Sequence, residues 1–341
     1  MSTKDTTAKK YMSNNKRFAD LFNNIVFGGR QIISADELVE KDSTELISFF
    51  DEAGTKSIKL QKWRDLLKMV TIKSTDEVIM AILGIENQSD VHYAMVIRDM
   101  LYDAMSYSKQ VEDAAKKHRK LRDTDTSSEF LSGFTKKDKL KPVITLTIYW
   151  GMEEWDAPRN LYDMLNTNNT DVLKFVNNYK LNLVIPQELS DFSGFHTELG
   201  KLFNIYKYAK DKNAMDKLLK NSAYKSVKIE TVDMMNTFLG IKIPINSLNK
   251  EEAIDMCKAW DEQRAEGREE GREEGRAEGR EEGRAEGRAE GRTEGLIEER
   301  IHTLLEFNKT PDECINDIIK RYGLSEEDAR NYFDKFAVAQ V

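Results

Sequence analysis

Residues 82–90 read Ile-Leu-Gly-Ile-Glu-Asn-Gln-Ser-Asp, and this stretch decides how the first half of the chain folds. Val78–Glu86 is a short β-rich run, and it ends in a carboxylate. A carboxylate at the end of an apolar strand is costly to bury without a partner or a use. Side chains alternate along a strand, so Glu86 and Gln88 project to one face. Upstream, Lys68–Lys73 is a second β-rich run, with Ser74-Thr75-Asp76 as turn material between the two. Antiparallel pairing of these arms brings Asp65, in Trp63-Arg64-Asp65-Leu66-Leu67, to the end of the sheet that holds Glu86. Two carboxylates there make an oxygen-rich site suited to a hard cation, Mg²⁺ or Mn²⁺. Such an ion lowers the pKa of a bound water and stabilises charge on a phosphoryl oxygen.

Outward from this hairpin, Phe18, Leu21, Phe22, Ile25 and Val26 have helical spacing, and Gly28-Gly29 stops the helix. His92–Gln110 carries Met95, Ile97, Met100, Leu101 and Met105 at helix-like spacing. Val143–Tyr149 (VITLTIY) reads as a buried strand. The order helix, hairpin, helix, strand predicts an α/β domain with a mixed sheet, ending near Met164. Asp171–Trp260 reads as mainly helical, with turns at Pro186, Ser193-Gly194 and Pro244. The expected divisions are a flexible basic arm (1–16), a core (17–165), a helical extension (166–260), a low-complexity tether (261–295) and a small helical module (296–341).

The tether repeats a four-residue unit, (A/E)-E-G-R, that places glycines at 267, 271, 275, 279, 283, 287, 291 and 295. On a helix this period aligns Glu with Glu and Arg with Arg at i,i+4. Eight interior glycines would cost about 6–8 kcal/mol relative to alanine. No apolar seam exists, which excludes a coiled coil and predicts a solvated, fluctuating tether. In the last module, Thr310-Pro311-Asp312-Glu313 is a capping box with proline at the first helical position. Ser325-Glu326-Glu327-Asp328 opens a second helix, with Gly323 between the two.

The 341 residues carry 60 acids and 52 bases, a net charge of −8. Residues 1–260 hold 38 bases and 37 acids, so the acidity belongs to the C-terminal quarter. The neutral body is therefore compatible with a polyanionic substrate. Lys116, Lys117, Arg119 and Lys120 open a segment to Lys141 with nine bases and four acids, positioned to flank a cleft and hold phosphates. Only Cys257 and Cys314 are present, which excludes a disulfide framework and a four-thiolate zinc site and fits a reducing, cytoplasmic setting. His92, His118, His196 and His302 lack partners at metal-ligand spacing. No signal peptide and no membrane span is read, so no membrane is expected.

The set Asp20 (in FADLF), Asp65, Glu86-Asn87-Gln88-Ser89, Arg98, Tyr102, Pro142-Val143-Ile144, Tyr149, Gly151, Trp155 and the E-G-R tail resembles the PD-(D/E)XK nuclease superfamily. Within it, the likeness is to the recombination-promoting nuclease or putative transposase branch, and it covers most of residues 16–295. The resemblance implies a restriction-endonuclease-like α-β-β-β-α-β core, metal-dependent cleavage of phosphodiester bonds with low sequence specificity, and DNA as substrate. Asp65 and Glu86 would then be the metal ligands. Gln88 would stand where the superfamily has lysine, orienting water without supplying positive charge. Asp20 would be an auxiliary first-helix acid, and Arg98 and Tyr102 would contact DNA phosphate. Asn23-Asn24 stand where relatives tend to carry lysine. The alternative is a catalytically decayed nuclease fold that binds DNA or serves assembly. A third reading is a scaffold of two modules. The sequence leaves open a homo-oligomer and the partner of residues 296–341.

Overall fold

The computed structural model describes residues 3–41, 44–50, 57–63, 65–73, 78–245 and 253–337; the turn expected at Ser74-Thr75-Asp76 lies outside them. The protein is a mixed α/β chain that divides into two compact units, Met1–Gln263 and Arg264–Val341. No helix among the described residues is long and apolar enough to cross a membrane.

The expected flexible arm is instead a helix, α1 (Thr3–Ser13), followed directly by α2 (Asn15–Ile25). Ala8, Tyr11 and Met12 share one face of α1 and are buried, so three apolar residues are enough to hold a polar, basic segment onto the core. Asn14 caps α2 by accepting from the N–H groups of Lys16 and Arg17. The strands that follow are β1 (Val39–Glu40), β2 (Thr44–Phe50), β3 (Ser57–Trp63), β4 (Leu66–Lys73) and β5 (Val78–Gln88). Helices α3 (Met95–Leu121) and α4 (Ser127–Ser132) lead to β6 (Val143–Tyr149), then α5 (Thr170–Leu173) and β7 (Leu183–Val184).

The sheet order is β1-β4-β5-β6-β7, while β2 and β3 pair with each other in a separate two-stranded ribbon. β4 and β5 are antiparallel, as the sequence predicts; β6 lies parallel to β5, and β7 parallel to β6. Strand alternation then divides the side chains between two faces. Leu66, Val70, Leu83, Ile85, Leu146 and Ile148 enter the main core with Phe18, Leu21 and Phe22 of α2. Leu67, Ile82 and Val143 point the other way and pack with Tyr107 of α3.

Helices α6 (Glu198–Tyr208), α7 (Lys212–Leu219) and α8 (Ile229–Leu239) complete the main core, with the two-residue strands β8 (Val227–Lys228) and β9 (Ala253–Ile254) pairing beside them. Phe203, Tyr206 and Met235 share one cluster with Phe18 and Leu83, so the helical extension and the α/β domain have a common interior. Lys68 is buried on this face, where its ammonium donates to the Ser13 carbonyl (2.7 Å) and to Asn15 Oδ1. That buried cation ties the junction of α1 and α2 to the sheet.

Helix α9 (Met256–Glu306) runs unbroken through the whole E-G-R repeat, in contrast to the fluctuating tether that glycine content predicts. Its repeat is exposed, and one of the Glu-to-Arg contacts at i,i+3, Glu269 with Arg272, closes at 3.1 Å. Within the second unit, Ile297 and Ile301 of α9 pack with α10 (Pro311–Tyr322) and α11 (Glu326–Ala337) through Ile318, Ala329 and Phe336. The capping box of Thr310 and Glu313 forms as expected, and Gly323 takes φ 69° at the end of α10.

Candidate functional site

The pairing of Leu66 with Ile85 sets Asp65 beside Glu86 at the end of the β4–β5 hairpin. Glu86 is fully buried. Its Oε1 accepts from the Asp65 N–H at 3.2 Å, and Asp65 Oδ2 accepts from the Asn87 N–H at 2.8 Å. Each carboxylate is therefore positioned by the backbone of the other strand. The two acids come together as the spacing predicts.

Helix α3 covers this face. Arg98 lies 3.1 Å from Glu86 Oε2, and its Nε donates to the Tyr102 hydroxyl at 3.2 Å. Arg98 thus pairs with the strand carboxylate rather than with an acid of its own helix. Burial works against the Arg98 charge, yet Glu86, Tyr102 and Asp65 carry its pKa above the ordinary value. Burial and then the Glu86 charge push the Tyr102 phenol up. Gln88 is half-buried two residues beyond Glu86 on the same face.

A polar layer that the sequence did not reveal extends from these groups. Thr147 lies beside Glu86 in the parallel β5–β6 register, and Thr145 beside Gly84. Thr147 Oγ1 donates to Asp99 Oδ2 at 2.7 Å, while Thr145 Oγ1 donates to Asp103 Oδ1 at 2.6 Å. Tyr179 donates to the other oxygen of Asp103 at 2.7 Å. The available signal was the T-L-T alternation in β6 opposite acids four apart on α3, which puts both pairs on facing surfaces. Asn87 points to the opposite face, where its Oδ1 accepts from Trp150 Nε1 at 2.9 Å.

Asp20 does not join this group. It is buried on α2, whose apolar residues pack on the Leu83 and Ile85 face, opposite Glu86 in strand alternation. Asp20 Oδ2 accepts from the Thr197 N–H (2.8 Å) and hydroxyl (2.6 Å), and Oδ1 from the His196 N–H (3.0 Å) and from Asn24 Nδ2 (3.1 Å). Its role is to fasten the start of α6, which corrects its assignment as an auxiliary catalytic acid. Asn23 is equally structural: its Oδ1 accepts from the N–H groups of Ile32 (3.1 Å) and Ile33 (2.8 Å).

The expected phosphate contacts do not form one patch. Lys116, Lys117, Arg119 and Lys120 sit at the far end of α3, about 27–33 Å along the helix from Arg98 at 1.5 Å per residue. Lys116 reaches Glu112 at 3.9 Å, and Arg119 and Lys120 are exposed. Between Lys117 and Arg119, His118 is buried and bridges Asp123 (2.7 Å) and Asp138 (2.8 Å), a clamp with no sequence-spacing signature. Both hydrogen bonds raise the pKa of His118. A cavity of about 760 Å³, lined in part by Arg17, Phe195, Lys201 and Glu230, contains none of the expected site residues.

Among the described residues no group of three or more His, Cys, Asp or Glu is placed to hold a metal ion. Asp65 and Glu86 alone match the way Mg²⁺ is commonly held, by one or two carboxylates with water and phosphate oxygens completing the shell. The fit requires Arg98 to yield its position at Glu86 Oε2. Comparison with protein-family models, curated proteins and solved structures returned no match.

Proposed function

We propose that the chain is a divalent-cation-dependent deoxyribonuclease of low sequence specificity, with a role in DNA recombination. The observation that carries this reading is the fully buried Glu86 interlocked with Asp65 across the hairpin. The element order α2–β1–β4–β5–α3–β6, with the β2–β3 ribbon inserted, supports a restriction-endonuclease-like core. In this reading Asp65 and Glu86 hold Mg²⁺ or Mn²⁺, which when bound polarises the phosphodiester and its attacking water. Gln88 orients that water by accepting a hydrogen bond from it. The water oxygen bonds to phosphorus as the bond to the leaving sugar oxygen breaks, one proton of the water passing to solvent and the leaving oxygen taking one from solvent. Arg98, displaced from Glu86, offers its guanidinium to a phosphate oxygen.

The Arg98–Glu86 pair also favours a second reading, a nuclease fold whose acid is permanently neutralised and which only binds DNA. One experiment separates the two. Supercoiled plasmid is incubated with the full chain and with Asp65→Ala and Glu86→Ala variants, with Mg²⁺, Mn²⁺ or chelator. Nicking that needs the metal and is lost in both variants supports the enzyme; no nicking by wild type under any condition overturns it.

A further inference from the structure

A groove of about 690 Å³ lies between α3, the start of the sheet and the segment 134–141. Four of its lysines, Lys41, Lys117, Lys139 and Lys141, have no carboxylate partner among the described residues. Its two acids are already engaged. Asp113 faces Lys109 at 3.7 Å. Asp138 Oδ2 takes His118 Nε2 at 2.8 Å together with the N–H (2.7 Å) and hydroxyl (2.9 Å) of Thr135.

The backbone beneath these lysines is fixed. The Lys41 N–H donates to the Leu67 carbonyl at 2.9 Å. Lys141 exchanges two hydrogen bonds with the Gln110 side chain, at 2.7 and 3.1 Å. Lys139 follows Asp138, which the histidine clamp holds to α3. The apolar lining is Leu67, Ile82, Met105 and Phe134, of which the first three are buried and Phe134 is half-buried at the surface. Lysines around a groove that also presents an aromatic ring suit a ligand that is both polyanionic and flat-faced.

We infer that this groove binds a single-stranded nucleic acid, its lysines on the phosphates and the Phe134 ring against an unstacked base. A duplex turns its bases inward and would leave that ring without a contact. Ile82 and Glu86 lie on one face of β5, and Leu67 and Asp65 on the same face of β4. The groove therefore begins at Leu67, about 7 Å from the acid pair along the strand, and reaches Lys117 about 28 Å along α3 from Arg98. At about 3.4 Å per nucleotide, it accommodates positions about two to eight nucleotides from a phosphate at Glu86. This register rests on the nuclease reading; the binding itself does not.

The test measures fluorescence anisotropy of a labelled oligothymidylate of about twenty nucleotides on the full chain in chelator, across a salt series. The variant Lys117→Glu/Lys139→Glu/Lys141→Glu is compared with Lys120→Glu/Lys136→Glu/Lys137→Glu, an equal charge change outside the groove lining. The groove variant is expected to bind at least about tenfold more weakly and to lose about 2 from the log–log salt slope, while the control loses far less. Equal losses in the two variants, or unchanged affinity and slope in the first, overturn the groove. Equal affinity for a duplex of the same length overturns the single-strand assignment. Absence of plasmid nicking, with the groove result intact, overturns the nuclease reading alone.

Discussion

Replacing Arg98 with methionine removes the cation from a carboxylate that has no access to solvent. The pair is asymmetric, since the Glu86 side chain is 0% exposed and that of Arg98 35%. At the observed 3.1 Å and an effective dielectric of about 20, the gross attraction is about 5 kcal/mol. Desolvation offsets much of it, and the exposed end of Arg98 lowers it further. Losing one partner of a fully buried pair costs about 3–5 kcal/mol, so about 2 kcal/mol is expected here. With m near 2–3 kcal/mol/M, urea denaturation should show the midpoint falling by about 0.7–1 M. Glu86→Gln removes the charge that Arg98 answers, so the double variant should recover part of the loss and give a coupling well above about 0.5 kcal/mol. Additivity within that margin would refute the ion pair. The same proteins report on the cation. If Arg98 competes for the carboxylate, Mn²⁺ should stabilise Arg98→Met more than wild type and leave Glu86→Gln unmoved. Equal stabilisation of all three would refute the competition.

Asp20→Ala should cost about 2–3 kcal/mol by stripping acceptors from buried N–H groups at the start of α6, while metal affinity in a calorimetric titration stays at the wild-type value. The His118 clamp should be strongest between about pH 4 and pH 6.5. The histidine's raised pKa stabilises the folded form below its unfolded value and is lost as pH rises through the folded one; Asp138, held low first by the Thr135 N–H, contributes above its unfolded value and is lost as pH falls. Amide exchange at residues 135–141 should follow that window in wild type and not in His118→Gln. Replacing Gly275 and Gly279 by alanine should raise helical ellipticity and add about 0.8–1.0 kcal/mol of local helix stability per site, because neither glycine has a neighbour within 4 Å.

The hairpin, α3 and β6 were legible in the sequence because each carries strong periodicity, and the register that joins Asp65 to Glu86 follows from pairing two adjacent arms. What was not legible depended on contacts distant in sequence. Asp20 sits in a motif that suggests catalysis, yet its partners lie 176 and 177 residues away. Helix α1 looked like a polar arm because its three buried residues matter only once α8 and the sheet supply a surface, as in the Tyr11 hydroxyl contact with Thr231 at 3.2 Å. The basic segment was visible as composition, but its position was set by the length of α3, which extends eleven residues beyond the Gln110 limit that periodicity suggested.

The polar layer under α3 accounts for the placement of Arg98 against the acid pair. One face of the sheet buries apolar residues with α2 and α6, and such packing tolerates small rotations of a helix. The other face meets α3 through Thr147–Asp99 and Thr145–Asp103, two short hydrogen bonds one helical turn apart. Two directional contacts at that spacing fix both the rotation and the axial position of the helix. Arg98 precedes Asp99, so its guanidinium is delivered to Glu86 by the same two bonds, and Tyr102 precedes Asp103 in the same way. A layer of two buried threonines with one buried and one half-buried aspartate is a costly way to pack a helix that needs only an apolar stripe. Its consequence is that Arg98 is held within reach of Glu86 while its outer end stays accessible, as the proposed exchange of Glu86 for a phosphate would require.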